Sequence, residues 1–220
     1  KAYEKVSVSG HLEFDDGTII NDFNGFVYPR VYDKSVRVTT LGNDGVDPFV
    51  YNDQRNIIYK GKAKVENGKF SFEFIVPIDI SYNKEKGKIC YYAENGSYDA
   101  QGRFSNVYIG GTGDEPIIDN EGPAIELFMN DERFEDGGMT NPNPQLIAQL
   151  SDENGINTTG IGIGHDIISV IDDDYLNPFV LNDYYLAKED DYRSGTIVYP
   201  FEKLEEGQHT LYLKAWDIFN

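Results

Sequence analysis

The chain has 220 residues, 40% of them hydrophobic and 14% aromatic, which is enough apolar material for one large or two small domains. It carries 38 Asp and Glu against 19 Lys and Arg, a net charge of −19. That balance excludes nucleic acid as a partner and disfavours an anionic membrane surface, because phosphates would be repelled. A lone cysteine, Cys90, excludes an intramolecular disulfide, and no apolar run is long enough for a membrane-spanning helix.

The N-terminal "KAYEKVSVSG" lacks the features of a signal peptide and reads as the interior of a longer chain, entered just before a strand. Alternation of apolar and polar residues then recurs in "VSVSGHLEF", "FNGFVYPRVYD", "KAKV", "KFSFEFIV", "GKICYYAEN" and "FSNVYIGG". Glu66-Asn67-Gly68 between two of these runs is a strong hairpin signal. About seven strands are expected in the first 110 residues, at sandwich spacing. The stretch "GGTGDEPIIDNEGP", Gly110 to Pro123, is rich in Gly, Pro and acid and reads as a linker.

A second set of short strands follows: "AIELFMN", "PQLIAQLSD", "HDIISVID", "FVLNDYYLA", "GTIVYP" and "QHTLYLKAWD". In the last of these Leu211, Leu213 and Ala215 share the inward face. No segment reads as a helix, although "FEKLEEG" has the composition for one turn. The expected fold is all-β: two tandem immunoglobulin-like or fibronectin-like β-sandwiches. Residues 1–112 form the first and 113–123 the linker, and 124–220 form the second. The sequence stops at "AWDIFN", where a turn has begun, so the second sandwich is expected to lack its last strand.

Catalytic chemistry is hard to find. Cys90 lies mid-strand, where a cysteine is ordinarily buried and inert, and no Gly-x-Ser-x-Gly motif or nucleophile–base pair occurs. Gly160, Gly162 and Gly164 do not make a phosphate-binding loop, since no helix follows them. Three scattered histidines and one cysteine do not supply a zinc set. In the segment 165–172, His165, Ile167, Ser169 and Ile171 share one face and Asp166, Ile168, Val170 and Asp172 the other. The alternation alone does not say which face is buried. Asp172, Asp173 and Asp174 then read as a solvated turn.

Calcium is the metal the sequence could hold, since it takes six to eight oxygens, often from acidic loops. The candidate ligands are Asp114, Glu115, Asp119 and Asn120 in the linker, with Asp152, Glu153 and Asn154 of "SDENG" and Asp217 beyond it. The competing reading is acidic turns at sandwich ends. Tyr91, Tyr92, Tyr98, Tyr184, Tyr185 and Trp216 are candidates for a sugar-binding face, or else for packing within the sheets.

Long stretches of both halves resemble a known family. "GIGIGHDIISVIDDD…FVLNDYY", "GTIVYPFEKLEEGQHTLYLKAWDIFN", "DFNGFVYPRVYDK" and "GKAKVENGKFSFEFIVPIDI" are similar to the region after the catalytic domain in type IX secretion system sortases. These are gingipain-like cysteine peptidases of Bacteroidetes. The resemblance implies a surface-associated parent that removes the C-terminal sorting domains of exported cargo and helps attach that cargo to the cell surface. It implies a catalytic Cys/His pair upstream, to which Cys90 and His165 do not correspond. On this reading the chain is a non-catalytic accessory region, exported, at the cell surface or outer membrane. Its partners are its own upstream peptidase domain, other outer-membrane proteins of the secretion system and exported cargo, with no nucleic acid and no cofactor beyond calcium. The alternative is a free-standing cell-surface adhesion or carbohydrate-binding module, stabilised by calcium.

Overall fold

Strand alternation becomes strand structure along both halves of the chain. The computed structural model describes residues 1–113, 119, 121–158 and 164–219. In chain order the first half contains β1 (Lys5–His11), β2 (Gly25–Tyr32), β3 (Val36–Thr39), β4 (Val50–Asp53), β5 (Ile57–Lys60), β6 (Ala63–Glu66), β7 (Lys69–Ile75), β8 (Glu85–Lys86), β9 (Lys88–Glu94), β10 (Asp99–Phe104) and β11 (Tyr108–Ile109). The second half contains β12 (Ala124–Met129), β13 (Gln145–Ser151), β14 (Ile168–Ile171), β15 (Phe179–Val180), β16 (Tyr185–Lys188), β17 (Asp191–Pro200) and β18 (Leu211–Lys214). Among the described residues, helix is confined to single 3₁₀ turns at Asn43–Gly45 and Asn182–Tyr184. The "FEKLEEG" segment forms no helical turn.

The β6–β7 hairpin forms where the Asn-Gly pair stands. Asn67 and Gly68 take φ of 51° and 73°, both left-handed, as a tight hairpin turn requires. A Cβ at Gly68 would also run into the Ile20 carbonyl, so this position needs glycine twice over.

The first half is built on a seven-stranded antiparallel sheet in the order β1-β7-β6-β2-β9-β10, with β5 also paired to β2. β7 and β9 are three strands apart in that order, about 14 Å in a flat sheet. Yet the Phe70 and Tyr91 rings lie 5.6 Å apart. The sheet therefore folds over on itself, and β1 and β7 face β2 and β9 as the layers of a sandwich do. Val27, Val31, Val65, Phe72, Phe74 and Ile89 fill the space between. β1 and β10 do not pair. A cleft of about 850 Å³ opens between them, and the half-buried Val6, Val8, Phe70 and Tyr91 reach into it. A buried ion pair ties the loops of this half together. Lys34 Nζ lies 2.8 Å from Asp33 Oδ1 and donates to the Ser81 carbonyl at 2.6 Å.

The second half has two sheets, β12-β13-β17-β16 and β15-β14-β18. Four strands facing three is the immunoglobulin-like arrangement. Leu146, Leu150, Ile167, Tyr185, Ile197 and Phe201 form a core separate from the first. β18 pairs with β14 and has no strand on its other side among the described residues. Leu211, Leu213 and Ala215 face this core, as expected. Most of the expected linker, 114–118 and 120, lies outside the described residues.

The strand expected over 165–172 begins only at Ile168. Ile167 and Ser169 are fully buried, and Ile167 and Ile171 pack in the second core, so that face points inward; Val170, on the other face, is also buried but outside this core. Asp172 and Asp173 adopt left-handed φ in an exposed turn. Asp172 accepts hydrogen bonds from Thr210 N and His209 Nδ1, closing the corner between β14 and β18. Ile167→Ala is expected to cost about 2–5 kcal/mol in denaturant unfolding, and Ile168→Ala, on the outer face, clearly less. Equal costs would mean the register is misplaced.

Candidate functional site

The chemistry-bearing residues gather where the two cores meet. β5 and β7 of the first half present Ile58, Tyr59, Phe74 and Ile75 to Ile156, Tyr185, Tyr192 and Ile218 of the second. The void left between these side chains is about 10 Å³, room for no more than one water. Tyr185 is buried, and burial pushes its hydroxyl and that of Tyr59 well above the ordinary tyrosine value. Gly195 makes room for the Tyr185 ring, which any Cβ at that position would strike. Backbone joins the halves as well: Asp190 N donates to the Lys62 carbonyl, and Lys64 N donates to Asp190 Oδ1.

Beside this apolar contact lies a polar node. Asp79, just after the first half's sandwich strands, accepts from Asn157 Nδ2 at 2.9 Å, and His165 Nδ1 lies 2.8 Å from the same carboxylate oxygen. The His165 ring sits 4.7 Å from the Trp216 ring, over which Lys214 Nζ also lies at 4.0 Å. His165 therefore pairs across the junction with Asp79 and not with its neighbour Asp166. Asp79 and Asn157 carried no signal in the sequence, because a single Asp in "IVPIDI" reads as the end of a strand.

Next to the node an acidic centre forms. Asp119, Asp152 and Asp217 each bring one carboxylate oxygen to within 4.8 Å of the others. Asp152 follows the end of β13, Asp217 follows β18, and Ile156 bridges to Asp217 between them. Asp217 is fully buried and accepts from Phe219 N at 2.6 Å. Asp152 Oδ1 accepts from Asn154 N and Gly155 N, and Asn154 Nδ2 donates to Asp119 Oδ2 at 2.6 Å. Burial first, then the charges of Asp217 and Asp119, push the Asp152 carboxyl above its ordinary 3.8, against the pull of those two N–H donors. The spacing suits calcium, whose oxygen ligands stand about 2.3–2.6 Å from the ion and so up to about 5 Å from one another.

Of the sequence candidates, the structure brings together Asp119, Asp152 and Asp217, and Asn154 donates to Asp119. Asp114, Glu115 and Asn120 lie outside the described residues. The aromatic candidates do not share one face. Tyr91 turns into the first core and Tyr185 is buried in the second, while Trp216 is half-buried at the node. Tyr92, Tyr98 and Tyr184 are exposed. Cys90 is half-buried on the outer face of β9.

Fold and site together define a class: an all-β module whose two cores are joined by an apolar contact and a polar node around Asp79, with an acidic centre beside it in the second half. No protein-family model matches the sequence, and no curated protein matches it. Among solved structures the chain is similar to dimeric latent PorU from Porphyromonas gingivalis. The two share 38% identity with a TM-score of 0.54, over 100% of this chain and 21% of that one. The chain thus spans about a fifth of the length of the PorU structure it matches.

A raised Asp152 value fixes the sign of a pH effect. The group favours the folded state below its ordinary 3.8 and loses that contribution as pH rises through the raised value. Without divalent cations, the melting temperature of the chain should therefore fall relative to that of Asp152→Asn as pH rises through the weakly acidic range. Parallel curves for the two proteins would show that the three carboxylates do not crowd one another.

Proposed function

We propose that the chain is a non-catalytic accessory region of a type IX secretion sortase similar to PorU. The observation that carries this reading is 38% identity sustained over the whole chain against one fifth of a much longer protein. The parent would remove C-terminal sorting domains from exported cargo and help attach that cargo to the cell surface. The chain would then sit outside the cell, at the outer membrane. Its partners would be an upstream peptidase domain, other outer-membrane proteins of the secretion system and the cargo. The joined cores suit a spacer that holds a peptidase at a fixed distance and angle. Self-association is also worth testing, because the PorU relative is described as dimeric and latent.

Calcium belongs to the same proposal. Asp119, Asp152 and Asp217 would hold it, and Asn154 would turn its amide to present oxygen in place of nitrogen. Bound there, the cation would neutralise three crowded carboxylates and tie the end of the second core to the segment entering it.

The functional reading is tested by removing the aligned segment from PorU and by replacing it with this chain. Removal should abolish processing of cargo sorting domains, and replacement should restore it at least in part. Unimpaired processing after removal would sink the accessory role. The isolated chain should cleave neither fluorogenic peptides nor cargo, and cleavage that disappears in Cys90→Ala would contradict the proposal. For calcium, titration should show stoichiometric heat in the unaltered chain that is lost in Asp217→Asn. An unchanged melting temperature on adding chelator would rule the ion out.

A further inference from the structure

The cleft in the first half is walled by two strand edges. β1 pairs with β7 and β10 with β9, and among the described residues neither has a strand on its other side. Along an antiparallel pair, residues alternate between those that bond the partner strand and those whose N–H and C=O point away from it. At the tip of the β9–β10 hairpin Asn95 N donates to the Tyr98 carbonyl, which fixes the alternation. Ala100, Gly102 and Phe104 bond toward β9, and Asp99, Gln101 and Arg103 turn their backbone groups to the open side. On the opposite wall Val76 N donates to the Glu4 carbonyl, so Lys5, Ser7, Ser9 and His11 do the same.

The interior between these edges is apolar and incompletely covered. Ala100, Gly102 and Phe104 stand opposite Ala93, Tyr91 and Ile89 on the core side of the sheet. Gly102 is nevertheless exposed, and Phe104 is 49% exposed. The cleft of about 850 Å³ falls within the range of ligand sites, about 300–1,000 Å³. A purely apolar ligand would cover the interior but strip water from the backbone groups of the walls without replacing it. An extended peptide fills the interior with alternate side chains and bonds the edge with its own backbone.

Charge distinguishes the two walls. On β1, Lys5 is paired with Glu73 at 2.6 Å and His11 Nε2 lies 3.2 Å from Glu13. An edge lysine of this kind guards a strand against addition. On β10, Asp99 and Arg103 are exposed on the outer face, four residues apart, and neither forms an ion pair among the described residues. Arg103 Nε donates to the Ser105 hydroxyl.

We infer that the β10 edge takes up an extended segment of another protein as an added strand. The segment carries apolar side chains at alternate positions, which enter the cleft. Between them it carries an acidic and a basic residue four apart, which pair across the new ladder with Arg103 and Asp99. The six residues of β10 offer about 20 Å of edge for it. The inference goes beyond the proposed function and does not rest on it.

The test is selection of random peptides displayed on phage against the chain, followed by titration of the best synthetic peptide. Enriched sequences should alternate apolar residues and carry an acid and a base four apart. A Cβ at Gly102 meets only Tyr91, at 3.7 Å, so Gly102→Phe fits the fold and places its ring in the cleft. It should raise the dissociation constant on the order of tenfold or more, with the melting temperature kept. Asp99→Lys with Arg103→Glu should weaken the same peptide, and exchanging the peptide's acid and base should restore binding, which also shows that the variant is folded. No enriched sequence, sequences without alternation, or binding indifferent to both variants would overturn the inference. So would dodecanoate binding that Gly102→Phe abolishes in the absence of any peptide binding, which would assign the cleft to an acyl chain, or self-association lost in that variant, which would assign it to a second copy.

Discussion

The structure depends on the contact between its two cores. The β5 and β7 side chains of the first half meet Tyr185, Tyr192 and Ile218 of the second with almost no void. Burial of two tyrosines and several aliphatic side chains stabilises the joint by several kcal/mol, at about 25 cal/mol per Å² of apolar surface removed from water. The Tyr185 hydroxyl is buried with no hydrogen-bond partner among the described residues, at a cost of about 1–3 kcal/mol. Apolar burial outweighs that cost, and Gly195 keeps the ring where it packs. Asp79 adds direction to the contact. Its carboxylate receives Asn157 and His165 together, so one rotation of the halves satisfies it.

The acidic centre follows from the joint. Asp152 and Asp217 belong to loops at the end of the second sandwich, and Asp119 to the segment that enters it. Ile218 packs into the interface one residue after Asp217, and Ile156 bridges to Asp217 on the strand side. Anchored at both neighbours, Asp217 stays buried beside Asp152 in spite of the like charge. The proposed accessory role would need this kind of fixed geometry.

Much of the fold was legible along the chain. Period-two alternation located most of the longer strands, and Asn67-Gly68 located a hairpin with its turn type. Local signals of that kind survive because neighbouring residues decide them. The inward face of the 165–172 segment was not legible, since Ile167 and Ile168 are equally apolar and only the opposing β18 distinguishes them. The folding-over of the first sheet was equally hidden, because the pairing of β1 with β7 and of β2 with β9 is a long-range choice. Three of the calcium candidates converge because acidic turns at one end of a sandwich come together by topology. Asp79 was invisible for the opposite reason: its partners, Asn157 and His165, lie 78 and 86 residues away.

The central claim is that the two cores behave as one mechanical unit. Differential scanning calorimetry, on the chain and on a Tyr59→Ala, Asp79→Ala double variant, tests it most directly. A joined pair unfolds in a single transition whose calorimetric and van't Hoff enthalpies agree, and the double variant splits it into two. Two separate transitions in the unaltered chain, left unchanged by the substitutions, would contradict the account.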